Sequence, residues 1–388
     1  MAGRPVKVIH MAPLGTGGIT KLTVTINGLL DPSVVQFDYL VFRDQHEFME
    51  DRVRALGAKK QVVDTTGFRN PMTRFLGKFF GMRKLFKREQ YDVVHVDAST
   101  PYDVMVALAA KLAGVPIIVM HSHNNSFKKG INIQDRIKTV LMSFFKQLML
   151  CCCTDYFAIS EQAARFMFPK SVLEDHRYRI IRNGIPADDY IFSAEDRTRE
   201  RKLLNLADDH FVLGNVGRFV YQKNHDFMLE VFALLYAAHP ESRLLLVGEG
   251  ELQEQIRTAV READLSDAVI FYGTTHDVPA VLSAMDGFIF PSRFEGLGIA
   301  AIEAQASGLP VYAADTIVDE VDVTDCFFRI HGWDAKQWAE EIWTLHTRQT
   351  ADRCSRSEEI KAAGYDIRNV AEAMERFYVE KAEGVLNE

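Results

Sequence analysis

Long hydrophobic runs are missing from this sequence. Among its 388 residues no apolar stretch approaches the ~20 positions that a membrane-spanning helix needs. The opening segment MAGRPVKVIHMAPLG turns polar and glycine-rich too soon to read as a signal peptide or a span. Cysteine is scarce: there are five, three of them adjacent as Cys151, Cys152 and Cys153. An odd count without a Cys-x-x-Cys pair excludes a disulfide framework or zinc knuckle and points to a reducing cytoplasm. No solenoid repeat, low-complexity tract or recognised RNA- or DNA-binding motif is present, so nucleic acid is not expected as a partner.

What remains is globular composition, 47% hydrophobic and 25% charged, in a chain long enough for two domains. The net charge of −8 conceals an asymmetry. Residues 1–195 hold 26 Lys and Arg against 19 Asp and Glu, whereas residues 196–388 hold 19 against 34. Between Arg69 and Gln90 the positions 69, 74, 78, 83, 84, 87 and 88 are basic, with one acid, Glu89. A basic patch on an acidic protein suggests an anionic partner.

Short apolar runs alternate with helix-length segments throughout. Candidate strands fall at 6–11, 34–42, 61–64, 92–96, 117–121, 156–160 and 178–182, then at 211–216, 243–247, 268–272, 287–291, 311–314 and 327–330. Strands joined by helical crossovers imply parallel sheets, and their near-continuous apolar character implies cover on both faces. The expected fold is therefore α/β, two tandem doubly wound Rossmann-like domains. They are placed at 1–190 and 203–365, with the polar stretch 188–202 as linker. Residues 366–388 form a terminal helix, with Val370, Met374, Phe377 and Tyr378 along one side, expected to pack back toward the first domain.

The sharpest motif is FPSRFEGLGIAAIEAQASGLP, residues 290–310. A strand ends at Pro291, a glycine-flanked loop follows, and a helix begins near Gly298. Free N–H groups of Gly296, Leu297, Gly298 and Ile299 at that helix start favour an anion. Glu295 and Glu303 cannot themselves bind phosphate, so hydroxyls are their natural partners, and the combination fits a nucleotide sugar. A second motif, GRFVYQKN at 217–224, sets Arg218 and Lys223 after a strand end, the ligand edge of an open α/β sheet. Both cations suit phosphate oxygens. A third, Gly15-Thr-Gly-Gly18, lies between a strand and a helix. It lacks the third glycine and the ribose-binding acid of a dinucleotide fingerprint, but Gly17 and Gly18 leave backbone open to a diphosphate or sugar. A fourth, His121-Ser-His123, ends a buried strand. Two imidazoles without a neighbouring acid or cysteine make a poor metal site, so no metal is expected. His95, inside a strand, reads as structural.

These segments together resemble the family-4 retaining glycosyltransferases of GT-B fold, in the capsular and exopolysaccharide branch. The resemblance runs through Gly17-Gly18, Tyr91 to His95, His121 to Asn124, Ser160-Glu161, Asn183 to Ile185, Gly217-Arg218, Lys223-Asn224 and LVGEG at 246–250. Glu295 and Glu303 in their loop are its most specific mark, and Ile19-Thr20 is a departure where relatives often carry an acid. It implies an active site in the cleft between the two domains, the first binding acceptor and the second nucleotide sugar. Arg218 and Lys223 hold the donor diphosphate, Glu303 the ribose, and Glu295 with the backbone of Gly296, Leu297 and Gly298 the sugar. Gly17 and Gly18 close over the diphosphate, and His121 or His123 lies by the transferred sugar, His121 being preferred. The catalytic set is thus His121, Glu295, Arg218 and Lys223. No cofactor is implied beyond the donor itself, a UDP-sugar. No Asp-x-Asp occurs anywhere, so metal-independent transfer with retention is expected. The rival readings are an NAD-dependent oxidoreductase or epimerase acting on a nucleotide sugar, and a non-catalytic nucleotide-sugar-binding module.

Residues 72–88 (MTRFLGKFFGMRKLFKR) read as a basic amphipathic helix with Phe75, Phe79, Met82 and Phe86 on one face. Such a helix lies in a membrane interface. Segments 69–90 and 128–150, the latter with Leu141, Phe144, Phe145, Leu148 and Met149 beside Lys138 and Lys146, are expected to hold the protein on anionic membrane at the inner face of the cell membrane. The acceptor is then a glycan, free or carried on polyprenyl diphosphate.

Overall fold

A computed structural model describes residues 4–15, 17–68, 70–124, 133–348 and 353–386. Arg69 and residues 128–132 lie outside this set, as do the side chains of 133–139, Lys138 among them. The chain divides into two compact units, one formed by Met1–Gly184 with Ile367–Glu388 and the other by Ile185–Asp366.

The first unit is built on seven strands: β1 (Val6–Met11), β2 (Val35–Val41), β3 (Lys59–Val62), β4 (Val93–Ala98), β5 (Ile117–Ser122), β6 (Asp155–Ala158) and β7 (Arg179–Ile180). All are parallel, in the order β3-β2-β1-β4-β5-β6-β7. The second holds β8 (Phe211–Val216), β9 (Ser242–Val247), β10 (Val269–Gly273), β11 (Gly287–Phe290), β12 (Val311–Ala314) and β13 (Phe327–Ile330). Their order is β10-β9-β8-β11-β12-β13, again all parallel. In each sheet the chain winds outward through three strands and then returns beside its first. The strand order therefore reverses between β1 and β4, and between β8 and β11. Such a reversal leaves a crevice beyond the strands' carboxyl ends, because the crossover helices on either side diverge there.

The terminal helix, Ile367–Leu386, belongs to the first unit. Its Val370, Met374, Phe377 and Tyr378 are all buried in that core with Phe37, Tyr39 and Phe157. Gly184 makes the return of the chain possible: a Cβ there would stand 2.7 Å from the Ile367 Cα.

Two expectations need correction. Residues 188–202 are not a linker. Ala194–Leu203 is a helix of the second unit, its amino end capped by the Ser193 hydroxyl accepting the Asp196 N–H. Arg197 and Arg201 on it both pair with Asp286, so its charges hold it to the fold instead of solvating it. The helix Pro71–Glu89 forms as expected, capped by Asn70, but its apolar residues do not share one fate. Met82, Leu85 and Phe86 are core, while Met72, Phe75, Leu76 and Phe80 are exposed. A Cβ on Gly81 would come within 2.6 Å of the buried Val63, whereas one on Gly77 would come within 2.9 Å of the exposed Phe68 ring, so the carboxyl half packs on the core and the amino half on a surface side chain. Val140, Leu141, Phe144 and Leu150 on Ile133–Cys152 are also exposed.

Candidate active site

In the second unit, the two motifs meet at the sheet reversal. Lys223 closes a short turn after β8, and Glu295 lies in the loop after β11. The Lys223 Nζ donates to Glu295 Oε1 at 2.6 Å, and Gln222 Nε2 donates to Glu295 Oε2 at 3.0 Å. Lys223 also sits 5.0 Å from the centre of the Phe290 ring. Sequence reasoning gave the lysine to a diphosphate and the glutamate to sugar hydroxyls; the structure joins them to each other. Arg218 is exposed, with no hydrogen bond or ion pair of its side chain among the described residues.

The helix after the loop is Ile299–Ala306, and Gly298 precedes it at φ +92°, a left-handed backbone that glycine adopts without strain. A Cβ there would also crowd the Phe290 ring at 3.1 Å. No described hydrogen bond engages the N–H groups of Gly296, Leu297, Gly298 or Ile299. Glu303, 6% exposed, lies within the helix and accepts a hydrogen bond from the Tyr190 hydroxyl. Burial and that carboxylate hold the Tyr190 phenol well above its usual range, so it remains a donor. His225, buried just after Lys223, has its pKa lowered to about 4 by burial and by the lysine's charge. Neither of its ring nitrogens has a partner among the described residues. Gln222, Tyr190 and His225 were not singled out from sequence, although Gln222 lies within a motif that was and His225 directly follows it.

In the first unit, Gly17 caps the helix Gly18–Leu29, whose first turn carries no acid. A Cβ at Gly18 would meet nothing within 4 Å, so this backbone is open to approach. Beside it on the sheet, β1, β4, β5 and the residue that follows β5 place five polar side chains on one face. His10 is in register with His95, and Asp97 with His121. Residues two apart on a strand share a face, which brings Asp97 onto the face of His95, and His123 onto that of His121.

These groups form one buried network. His10 Nδ1 lies 2.8 Å from Asp97 Oδ2, and His123 Nε2 lies 3.1 Å from Asp97 Oδ1. His95 Nε2 lies 3.1 Å from His121 Nδ1. The Tyr378 hydroxyl, from the terminal helix, lies 2.8 Å from His95 Nδ1 and 3.3 Å from His10 Nε2. Burial drives His95 and His121 well below the usual imidazole range, and neighbouring histidines push the same way. For Asp97 burial acts upward but is outweighed by His10 and by its hydrogen bonds, and the carboxyl is held well below its ordinary value. Among the described residues His121 Nε2 and His123 Nδ1 have no partner.

The His121-Ser-His123 pair thus has the nearby acid that its sequence neighbours do not supply. Ligand-type atoms of His10, His95 and Asp97, and of Asp97, His121 and His123, fall within 4.8 Å of one another. Most of the ring nitrogens in that group are already engaged with another side chain. His95, read from the sequence as structural, is a fully buried member of this network. Asp97, His10 and Tyr378 were missed because strand register, which pairs residues far apart in sequence, creates the cluster.

Comparison with known proteins agrees with both halves. A family model described as glycosyl transferases group 1 matches residues 196–355, and one described as a glycosyl transferase 4-like domain matches residues 31–184. EpsF of Bacillus subtilis (strain 168) is 34% identical over 81% of each chain. The UDP-Gal:alpha-D-GlcNAc-diphosphoundecaprenol alpha-1,3-galactosyltransferase of Escherichia coli is 25% identical, over 73% of this chain and 70% of its own. The capsular polysaccharide biosynthesis glycosyltransferase CapM of Staphylococcus aureus is 25% identical, over 81% and 86%. Among solved structures, Anabaena HepE in complex with UDP and glucose superposes with a TM-score of 0.70 at 17% identity, covering 99% of each chain. A glycosyltransferase from Rickettsia africae superposes at 0.72 and 16% identity, covering 97% of this chain and 98% of its own. The two parallel-sheet units, the two family matches and the kinship with EpsF lead to one conclusion: the chain belongs to the family-4 glycosyltransferases and carries their GT-B fold.

Proposed function

We propose that this glycosyltransferase is retaining and metal-independent. It moves a sugar from a UDP-sugar to a glycan, or to a glycan carried on polyprenyl diphosphate, in cell-surface polysaccharide synthesis. The observation that carries this reading is the meeting of Lys223 and Glu295 at the β8/β11 reversal, beside the open amides that precede Ile299–Ala306. As the glycosidic bond to the donor breaks, negative charge builds on the departing diphosphate. Fixed cations and backbone amides aimed at that charge stabilise the transition state without rearranging. Arg218 and Lys223 supply the cations, and Gly296, Leu297 and Gly298 the amides. They do the work that a bound metal ion does elsewhere.

The second unit takes the donor, with Glu303 on the ribose and Glu295 on the sugar. Once the diphosphate draws Lys223 toward it, Glu295 is free to accept from sugar hydroxyls. The first unit takes the acceptor, with His121 facing the substrate and Gly17 and Gly18 offering open backbone to a phosphate or sugar. Glycosidases flank the scissile bond with two carboxylates, one acting as nucleophile or base. Here both glutamates serve hydroxyl binding, so the acceptor attacks on the leaving-group face and the anomeric configuration is kept. The acceptor class draws support from the Escherichia coli relative, whose name specifies a diphosphoundecaprenol-linked acceptor. Family membership displaces the oxidoreductase reading.

Membrane attachment is part of the proposal. The exposed Met72, Phe75, Leu76 and Phe80, with Arg74, Arg83, Lys84, Lys87 and Arg88 on the same helix, give apolar anchors and a positive field. The exposed side chains of Ile133–Cys152 extend them. No described helix is long and apolar enough to cross a membrane, and the attachment proposed is peripheral, at the cytoplasmic face.

The experiment is a donor screen with purified protein in EDTA, scored by released nucleoside diphosphate and by the anomeric NMR signals of the product. Turnover of a UDP-sugar in EDTA with retained configuration is expected. An absolute need for added divalent metal, or an inverted product, would contradict the mechanism.

A further inference from the structure

Tyr378, His95, His10 and Asp97 reach no substrate through any motif, yet they form an unbroken chain of contacts behind His121. We infer that these four residues are a proton relay that sets the state of the His121 Nε2 atom. It keeps that nitrogen a bare acceptor at rest, and lets it take a proton from a substrate hydroxyl while the positive charge settles on His10 beside Asp97. The inference rests on the reading that His121 faces the substrate.

In the resting state proposed here all four rings are neutral, and from that premise the proton positions follow by elimination. An ionised carboxylate only accepts, so Asp97 takes the Nδ1 proton of His10 on one oxygen and the Nε2 proton of His123 on the other. A neutral His10 then presents a bare Nε2 toward Tyr378. Only the phenol proton can fill that contact, and the phenol oxygen is left to accept from His95 Nδ1–H. The bare Nε2 of His95 in turn accepts from His121 Nδ1–H. The end of the chain is His121 Nε2, without a proton and, among the described residues, without a partner.

Uptake of one proton at His121 Nε2 runs the chain in the other direction. The Nδ1 proton of His121 passes to His95 Nε2, and that of His95 Nδ1 to the Tyr378 oxygen. The phenol proton passes to His10 Nε2. One proton has entered, five nitrogens have changed protonation, the phenol oxygen has exchanged one proton for another, and the only charged ring is His10, 2.8 Å from the Asp97 carboxylate. The separations along the way, 3.1, 2.8 and 3.3 Å, are hydrogen-bond contacts or close to them. Burial that keeps His95 and His121 from holding a charge themselves favours its passage to the one site with an anion alongside. A phenol raised well above its ordinary pKa stays protonated and so serves as a link. This also gives the terminal helix a task beyond packing, since it alone supplies Tyr378.

The test is nitrogen NMR on the full chain labelled at histidine, which distinguishes Nδ1–H from Nε2–H rings, combined with kinetics of Tyr378→Phe and Asp97→Asn. The relay requires His121 in the Nδ1–H form at rest. In Tyr378→Phe, which keeps the ring and removes the link, His95 and His121 should change tautomer. Turnover should fall about tenfold or more, while nucleotide affinity holds. Asp97→Asn should lower turnover likewise and is the second variant if the phenylalanine protein folds poorly. A resting His121 with its proton on Nε2 would overturn the relay. So would Tyr378→Phe with unchanged tautomers and turnover, or one tightly held equivalent of zinc in the purified protein, since the nitrogens would then be ligands. His121→Ala with full turnover would instead overturn the substrate-facing role of His121, and with it the catalytic use of a relay whose existence the tautomers still report.

Discussion

Lys223 and Glu295, 72 positions apart in the chain, face each other with Nζ 2.6 Å from Oε1. Both side chains are largely buried, 14% and 7% exposed. A pair this enclosed is held for geometry as much as for stability, because desolvation offsets much of the attraction between its members. Its position at the β8/β11 reversal is where an open α/β sheet receives a ligand. There the carboxylate of Glu295 accepts from Lys223 on one oxygen and from Gln222 on the other, at the place proposed above for the donor.

Removing the lysine should have two separable effects. Lys223→Ala should lower kcat about a hundredfold, the scale seen when one donor to a developing anion is lost. It should also destabilise the second unit by about 3 kcal/mol, because Glu295 stays buried with, among the described residues, only the Gln222 side chain donating to it. Nucleoside diphosphate release and urea unfolding measure these independently. A variant with kcat within twofold of the parent would remove Lys223 from the mechanism.

His225 should make stability depend on pH over a defined window. Its pKa is lowered from 6.5 to about 4 in the fold, so the unfolded chain binds its proton first as pH falls. The contribution is complete above 6.5 and is lost as pH drops toward 4, reaching about 3 kcal/mol over the whole window. Urea unfolding at pH 7 and pH 5 should show a smaller loss in His225→Leu than in the parent protein. Parallel losses would mean that the ring is not buried in neutral form.

The helix Pro71–Glu89 should separate into two functional halves. Phe75→Ser with Phe80→Ser should leave stability nearly unchanged and weaken sedimentation with anionic vesicles. Phe86→Ala should cost about 3–5 kcal/mol, because it opens a cavity in the core. Lys84→Glu with Lys87→Glu should reduce the same vesicle binding, at about 1 kcal/mol for each charge removed, and added salt should mimic it. Binding unchanged in both double variants would leave the helix without a membrane role.

Sequence pattern located β1, β8, β12 and β13 to the residue, because each is a short β-branched or aromatic run with a turn signal at both ends. It misjudged 188–202, whose polarity matches a linker: nothing local reveals that Arg197 and Arg201 share Asp286, 85 or more residues away. It ran the apolar face of Pro71–Glu89 straight through, since periodicity finds a face but not what covers it. The donor motifs were legible because loop glycines, cations and glutamates lie close together in sequence. Gln222 lies within one of them and was still overlooked, and Tyr190 reaches Glu303 from 113 positions away. The histidine network was the least legible part. Its members come from three strands and a terminal helix, and only the register that pairs His10 with His95 and Asp97 with His121 assembles it.

The division of labour between the two glutamates is tested most directly by calorimetric titration of UDP and of the UDP-sugar into Glu303→Ala and Glu295→Ala, with turnover measured on the same samples. If Glu303 holds the ribose, its loss should weaken UDP itself, and if Glu295 holds the sugar, its loss should leave UDP affinity nearly intact while abolishing turnover. Equal loss of UDP affinity in both variants, or full turnover by Glu295→Ala, would contradict a donor site built from these two carboxylates.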